Sequence, residues 1–368
     1  MRAAPYTAEG RDPARKVKYE KPNPMQPRPS RRQLLQASGA CLLAASLPAR
    51  AQPPAGTLVF HHPLCLKHLA GRRHPERPER LEAVLQALRT AAFCDRIGFP
   101  ATRPAAEEDI LLAHSRDYLW RVKREVAEGR DQLSTGDTAL SPDSLAAALA
   151  AAGAVVAAVD AVLGGGARNA FCAVRPPGHH ASADRGMGFC VFNNIAIGAR
   201  HALRRRDLRR VLIADWDVHH GNGTQDLFYS DGSVLFFDTH QAPWYPGTGS
   251  ESEIGEGKAK GLIINRPFPA GAGRREVLGA FREVLVPAAE RFRPELVMIS
   301  CGFDSRIGDP LGQFKLTDQD FADLTDVVLE IAGRHAGGRL VSVLEGGYAL
   351  EGLAAAVTAH VERLVAAD

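Results

Sequence analysis

Seven short runs, TLVF, AFCAV, VLIAD, VLFFD, GLIIN, ELVMIS and LVSVLE, recur between residues 57 and 345 and are apolar at nearly every position. A strand with one wet face alternates polar and apolar residues. Unbroken apolarity instead marks strands covered on both faces, as in a parallel sheet flanked by helices. The intervening segments have the period that supplies such cover. RPERLEAVLQALR puts Leu81, Val84, Leu85 and Leu88 on one stripe, after a proline suited to a first helical turn. LTDQDFADLTDVVLEIAG starts on a capping box from Thr317 to Asp320. SPDSLAAALAAAGAVVAAVDAVLGGG opens at Ser141-Pro142 and stops at a glycine run. Its alanines suggest a membrane span, but Asp143, Asp160 and the neighbouring strands favour a close-packed buried helix. The expected fold class is α/β, a three-layer open and mostly parallel sheet running from about residue 55 to the end.

Composition narrows the partners. The chain of 368 residues is 45% hydrophobic, enough for one large domain or two smaller ones. Its formal charge of +3 is concentrated at the front: residues 1–51 hold ten Lys/Arg against three Asp/Glu, leaving 35 against 39 beyond. That mildly acidic body lacks the basic stripe a DNA or RNA surface needs, so no nucleic-acid partner is expected. The front has its own reading. In SRRQLLQASGACLLAASLPARA, Arg31 and Arg32 precede a modestly apolar stretch ending in Ala49-Arg50-Ala51, the pattern of a twin-arginine export signal with an A-x-A cleavage site. A basic tail that happens to contain Arg-Arg is the bland alternative. The stretch is short and rich in Ala, Ser and Gly for a bilayer about 30 Å thick. The expected organisation is an N-terminal extension and signal over 1–51, with Met1 or Met25 as initiator, and one domain over 52–368. The mature protein would be periplasmic, without a membrane span. Of six cysteines Cys41 falls inside the expected signal, and the remaining Cys65, Cys94, Cys172, Cys190 and Cys301, odd in number and irregular in spacing, form no disulfide framework.

In such sheets the ligand site lies beyond the carboxyl ends of the strands. After AFCAV comes RPPGHHA, after VLIA comes DWDVHHGNG, after VLFF comes DTHQAPWYPGTG, after ELVMIS comes CGFDSRIGDPLG and after LVSVL comes EGGY. Ionisable groups crowded at one buried edge are costly to desolvate unless they hold something charged. A divalent metal accounts for the crowding. Asp217 and Asp304 offer hard oxygen ligands and His219 a nitrogen, with open positions for water and substrate, as a hydrolytic zinc site requires. Two carboxylates among three ligands also suit Fe(II). Adjacent His179 and His180 are better placed for proton handling beside an attacking water than for joint ligation.

RPPGHHA, GFCVFNN, DWDVHHGNGTQ, GFDSRIGDPLG and LEGGY, in this order, resemble the histone deacetylase superfamily, nearest its class II and bacterial acetylpolyamine amidohydrolase branch. The resemblance covers residues 57–368 and implies the arginase-deacetylase fold and a deacetylase-like catalytic domain. It implies Asp217, His219 and Asp304 as zinc ligands, and His180 as the general base that activates water and then protonates the leaving amine. His179 would be its electrostatic partner, oriented by Asp215, and Tyr348 would donate to the developing oxyanion. Gly188, Phe189 and Tyr245 match the walls of the substrate tunnel, where the family commonly has Phe in place of Tyr245. Asp137 matches a rim residue that accepts the substrate's amide hydrogen. Asp215, Asp217, His219 and Asp238 match the loop around a structural potassium ion, where Asp238 replaces the usual Ser.

Two further departures bear on chemistry. Asn222 stands where class I members have Asp, so the group behind His180 is neutral and should raise its pKa less. Leu311 stands where a polyamine-selective human member has Glu, and an apolar side chain offers nothing to a second ammonium. The expected function is hydrolysis of an N-acylated primary amine, acetyl-lysine or an acetylpolyamine. The alternatives are an arginase-like ureohydrolase, which needs a second metal and more aspartates, and a non-catalytic acyl-amine binding protein. His220 is expected to be a hydrogen-bonded neighbour of the site. The histidines of the entrance segment, His61, His62, His68 and His74, are divided between a solvated loop and substrate contact.

Overall fold

The computed structural model describes residues 56–71 and 73–367. The expected signal over 1–51 lies outside the described residues. The strands are β1 (Thr57–Phe60), β2 (Ile97–Gly98), β3 (Asn169–Cys172), β4 (Val211–Asp215), β5 (Val234–Gln241), β6 (Ile263–Phe268), β7 (Leu296–Cys301) and β8 (Leu340–Leu344). They form one sheet in the order β2-β1-β3-β8-β7-β4-β5-β6, and every pairing is parallel. Each apolar run of the sequence falls in a strand. The exception in the other direction is β2, two residues long and too short for any pattern to mark.

Parallel neighbours need long crossovers, and helices supply them. Helix Pro78–Thr90 buries Leu81, Val84, Leu85 and Leu88, the stripe expected from its spacing. Helix Asp318–His335 begins where the Asp320 carboxylate accepts the Thr317 backbone N–H at 2.8 Å. The alanine-rich helix Ser144–Leu163 has a mean hydropathy of 2.1, and most of it is buried within the fold. Its small residues let the chain cross close by: a Cβ on Gly153 would lie 2.0 Å from the Arg103 carbonyl oxygen.

Topology makes the site. β3, β8, β7, β4 and β5 are five consecutive strands of the sheet, and all are parallel. The five loops that carry the histidines, aspartates and tyrosine therefore leave one edge side by side.

Candidate active site

Asp217 and His219 follow β4, and Asp304 follows β7, its neighbour in the sheet. One donor atom from each lies within 4.8 Å of the others, a grouping of metal-ligating side chains that stands alone among the described residues. His219 Nδ1 is 3.0 Å from Asp217 Oδ1 and 3.2 Å from Asp304 Oδ2. Backbone amides fix the remaining oxygens: Asp304 Oδ1 accepts the Val218 N–H and Asp217 Oδ2 accepts the Gly346 N–H, both at 2.9 Å. Position 346 must be glycine, because a Cβ there would lie 1.9 Å from Asp304 Oδ2. That oxygen is buried without a hydrogen bond of good geometry, the state of a donor kept for a cation. Burial opposes charge on His219, yet Asp217 and Asp304 raise its pKa to about 10. Burial and Asp217 raise Asp304 to about 7. Two carboxylates and an imidazole so crowded fit a divalent metal, whose charge relieves the strain between them.

His179 and His180, on the turn beyond β3, lie with ring centroids 4.0 Å apart and planes tilted by 43°, and their surroundings differ. His179 Nδ1 lies 3.0 Å from Asp215 Oδ2. Burial would lower its pKa, but Asp215 and then Asp217 raise it well above the usual range. His180 Nδ1 lies 2.8 Å from Asn222 Oδ1. An amide oxygen only accepts, so Nδ1 carries the proton and Nε2 keeps its lone pair. Burial first, then His179 and His219, hold the His180 pKa well below the usual range. The two environments push the imidazole pKa values in opposite directions, His179 towards the charged form and His180 towards the neutral one, the division that general acid–base work requires.

These groups open on a pocket of about 230 Å³ lined by Asp137, His180, Gly188, Phe189, His219, Trp244, Tyr245, Leu311 and Tyr348. Every substrate-binding residue expected from the sequence is among them. A Cβ on Gly188, which has φ +57°, would lie 2.2 Å from His180 Cδ2, so this wall also needs glycine. Tyr348 is fixed from below, since Asp309 Oδ2 accepts its backbone N–H at 2.7 Å and the Arg80 guanidinium lies 4.7 Å over its ring. Burial raises the Tyr348 hydroxyl well above its ordinary pKa, which keeps it a donor. Asp238 stands apart from the pocket. It pairs in register with Asp215 across β4 and β5, accepts the Gly221 N–H at 2.8 Å and faces His240 Nδ1 at 2.6 Å.

Several supporting residues went unmarked in the sequence. Glu345 Oε2 accepts the N–H groups of Gly178 and His179 at 2.6 and 3.1 Å, tying the end of β8 to the histidine turn. Trp244 donates to the Leu311 carbonyl at 2.9 Å. Glu76 is fully buried between Arg175, at 2.6 Å, and Arg80, at 3.3 Å, and its carboxyl is held at a pKa of about 2 because Arg175, His68 and Arg80 outweigh burial. The sequence signal for the two carboxylates was charge in or near a motif, and Trp244 stood inside one, beside Tyr245. The entrance histidines divide: His68 is buried against Ser144 Oγ at 2.8 Å, whereas the His74 ring meets Phe189 edge-on at 4.6 Å. His220 hydrogen-bonds Thr248 and Gln225, as expected of a neighbour of the site.

An α/β sheet with this cluster at its carboxyl edge has the donors for a metal-assisted site, and comparison with known proteins gives the family. The histone deacetylase domain matches residues 74–364, and the chain belongs to that family. It is 39% identical over 310 residues to the histone deacetylase-like amidohydrolase of Pseudomonas aeruginosa, covering 79% of this chain and 81% of that one. It is 41% identical over 302 residues to the polyamine deacetylase HDAC10 of Homo sapiens, covering 79% of this chain and 44% of that one. Its fold is similar to the crystal structure of the HDA15 HD domain, with a TM-score of 0.80 and 34% identity over 85% of this chain and 88% of that one. The chain has the arginase-deacetylase fold and is an acyl-amine deacetylase by family.

Proposed function

We propose that the protein is a zinc-dependent amidohydrolase that removes an acetyl or another acyl group from an N-acylated primary amine, of the acetyl-lysine or acetylpolyamine kind. The observation that carries the reading is the convergence of Asp217, His219 and Asp304 with His180 and Tyr348 on one narrow aromatic pocket. Asp217, His219 and Asp304 would hold the metal, which would supply Lewis acidity to the acyl carbonyl and to the attacking water. His180 Nε2 takes the proton of that water and returns it to the leaving amine. His179, charged through Asp215, stabilises the negative charge that develops nearby, and the Tyr348 hydroxyl donates to the oxyanion. Phe189 and Tyr245 grip the apolar stem, and Asp137 accepts an N–H at the rim. The apolar Leu311 favours stems without a second ammonium.

The test is a screen of acetylated and longer-acylated amines against the metal-loaded protein, with metal content measured on the same sample. Release of acid from at least one class at one divalent metal per chain is expected, with Asp217→Ala losing that metal and turnover together. No hydrolysis of any acylated amine would sink the reading, and two divalent metals per chain would revive the ureohydrolase. We also propose that Arg31-Arg32 directs export to the periplasm. Recovery of the protein from cytosolic fractions alone would refute that.

A further inference from the structure

Asp137 is held by both walls of the pocket mouth. Its Oδ1 accepts the backbone N–H of Gly188 at 2.6 Å and the phenolic O–H of Tyr245 at 3.3 Å. Gly188 belongs to the first wall, where Phe189 has φ +68°. A phenylalanine in left-handed backbone is strained and persists only where its surroundings over-determine it. The Asp137 bond to the preceding amide is such a constraint. Tyr245 is the opposite wall, 37% exposed, with its ring 5.3 Å from His180. Among the described residues no hydrogen bond reaches Asp137 Oδ2. A phenylalanine at 245 would give the same wall without the bond.

We propose that the Tyr245 hydroxyl is a positioning group that latches the mouth. Through one shared carboxylate oxygen it sets the spacing of Phe189 and Tyr245, and it leaves Asp137 Oδ2 as the free acceptor for an N–H of the substrate stem. The inference rests on the acyl-amine hydrolysis proposed above and adds a selectivity to it. Stems that carry an N–H donor near the mouth, such as acyl-lysine within a peptide, are preferred over plain N-acylalkylamines.

The test compares Tyr245→Phe, Asp137→Ala and the double variant on an acetyl-lysine peptide amide and on N-acetylhexylamine. Tyr245→Phe is expected to raise KM for the peptide about fivefold, the scale of one net hydrogen bond, while kcat falls less than twofold. The preference for the peptide over the alkylamine should shrink by the same factor. In the Asp137→Ala background the Tyr245 change should add less than twofold, since the two groups act through one bond. Hydrogen exchange of the Gly188 amide should quicken in Tyr245→Phe. A full effect of Tyr245→Phe without Asp137, a loss confined to kcat, or an unaltered Gly188 exchange rate would each overturn the latch. Should the parent hydrolyse no acylated amine, the proposed function fails, and the exchange measurement still decides the latch.

Discussion

Single atoms decide whether this site is chemically competent. Asn222 Oδ1 fixes the His180 proton on Nδ1, and its neutrality leaves the ring easy to deprotonate. Asn222→Asp would place a carboxylate there, favour the imidazolium and raise the His180 pKa. The acid limb of kcat/KM should then move up by about one pH unit. An unmoved limb in the pH–rate profile would remove His180 from the role of base. Tyr348 is protonated and fixed by Asp309 and Arg80, so Tyr348→Phe should lower kcat more than it raises KM. One oxyanion donor is worth about 2.7–4 kcal/mol, which is 10²–10³ in rate. Equal losses in kcat and in substrate affinity would contradict the assignment. At this scale the sequence was informative where a residue type has few bland uses. His-His and Asp-x-Asp-x-His after buried strands are costly without a ligand, so they stood out. Glu345 and Asp309 did not, because a lone carboxylate after a strand is ordinarily a cap or a solvated group.

Elements owe their positions to close approaches that only small residues permit. Helix Ser144–Leu163 lies under the Arg103–Ala105 backbone, with the Ala105 N–H donating to the Leu149 carbonyl at 2.8 Å. Gly153 makes that contact possible. Alanine is the better helix former by about 1 kcal/mol, but its methyl would meet backbone atoms that cannot rotate away, and overpacking costs about 1–3 kcal/mol. Gly153→Ala should therefore lower the thermal midpoint. A midpoint unchanged or raised would show that the contact yields. Apolar runs and capping residues made most elements legible, since they depend on a few neighbouring positions. The two-residue strand β2 was not legible, because it exists only through pairing with β1.

The whole molecule couples buried histidines to stability. His114 accepts the Asn193 N–H through Nε2 at 2.9 Å, and His360 lies between Thr325 and Ser342 hydroxyls. Burial lowers their pKa values to about 4 and about 3. Unfolded, each titrates near 6.5, so below that pH the unfolded chain binds protons the folded chain refuses, and stability falls. The loss is about 1.4 kcal/mol per pH unit for each group, from about pH 6.5 down to the folded values. Urea midpoints taken at pH 7 and pH 5 should show it, and His360→Gln should flatten the slope. An identical slope in that variant would exclude His360 as a source. By itself the sequence determined that the strands are buried and mostly parallel, where helices start, and which loops carry side chains suited to metal ligation and proton transfer. Those properties follow from local periodicity and from the cost of burying charge. Tertiary structure alone decided that β3, β8, β7, β4 and β5 stand side by side, that Glu76 binds Arg175, and that Tyr245 reaches Asp137. Those contacts join residues far apart in the chain, and no local pattern encodes a distance between them.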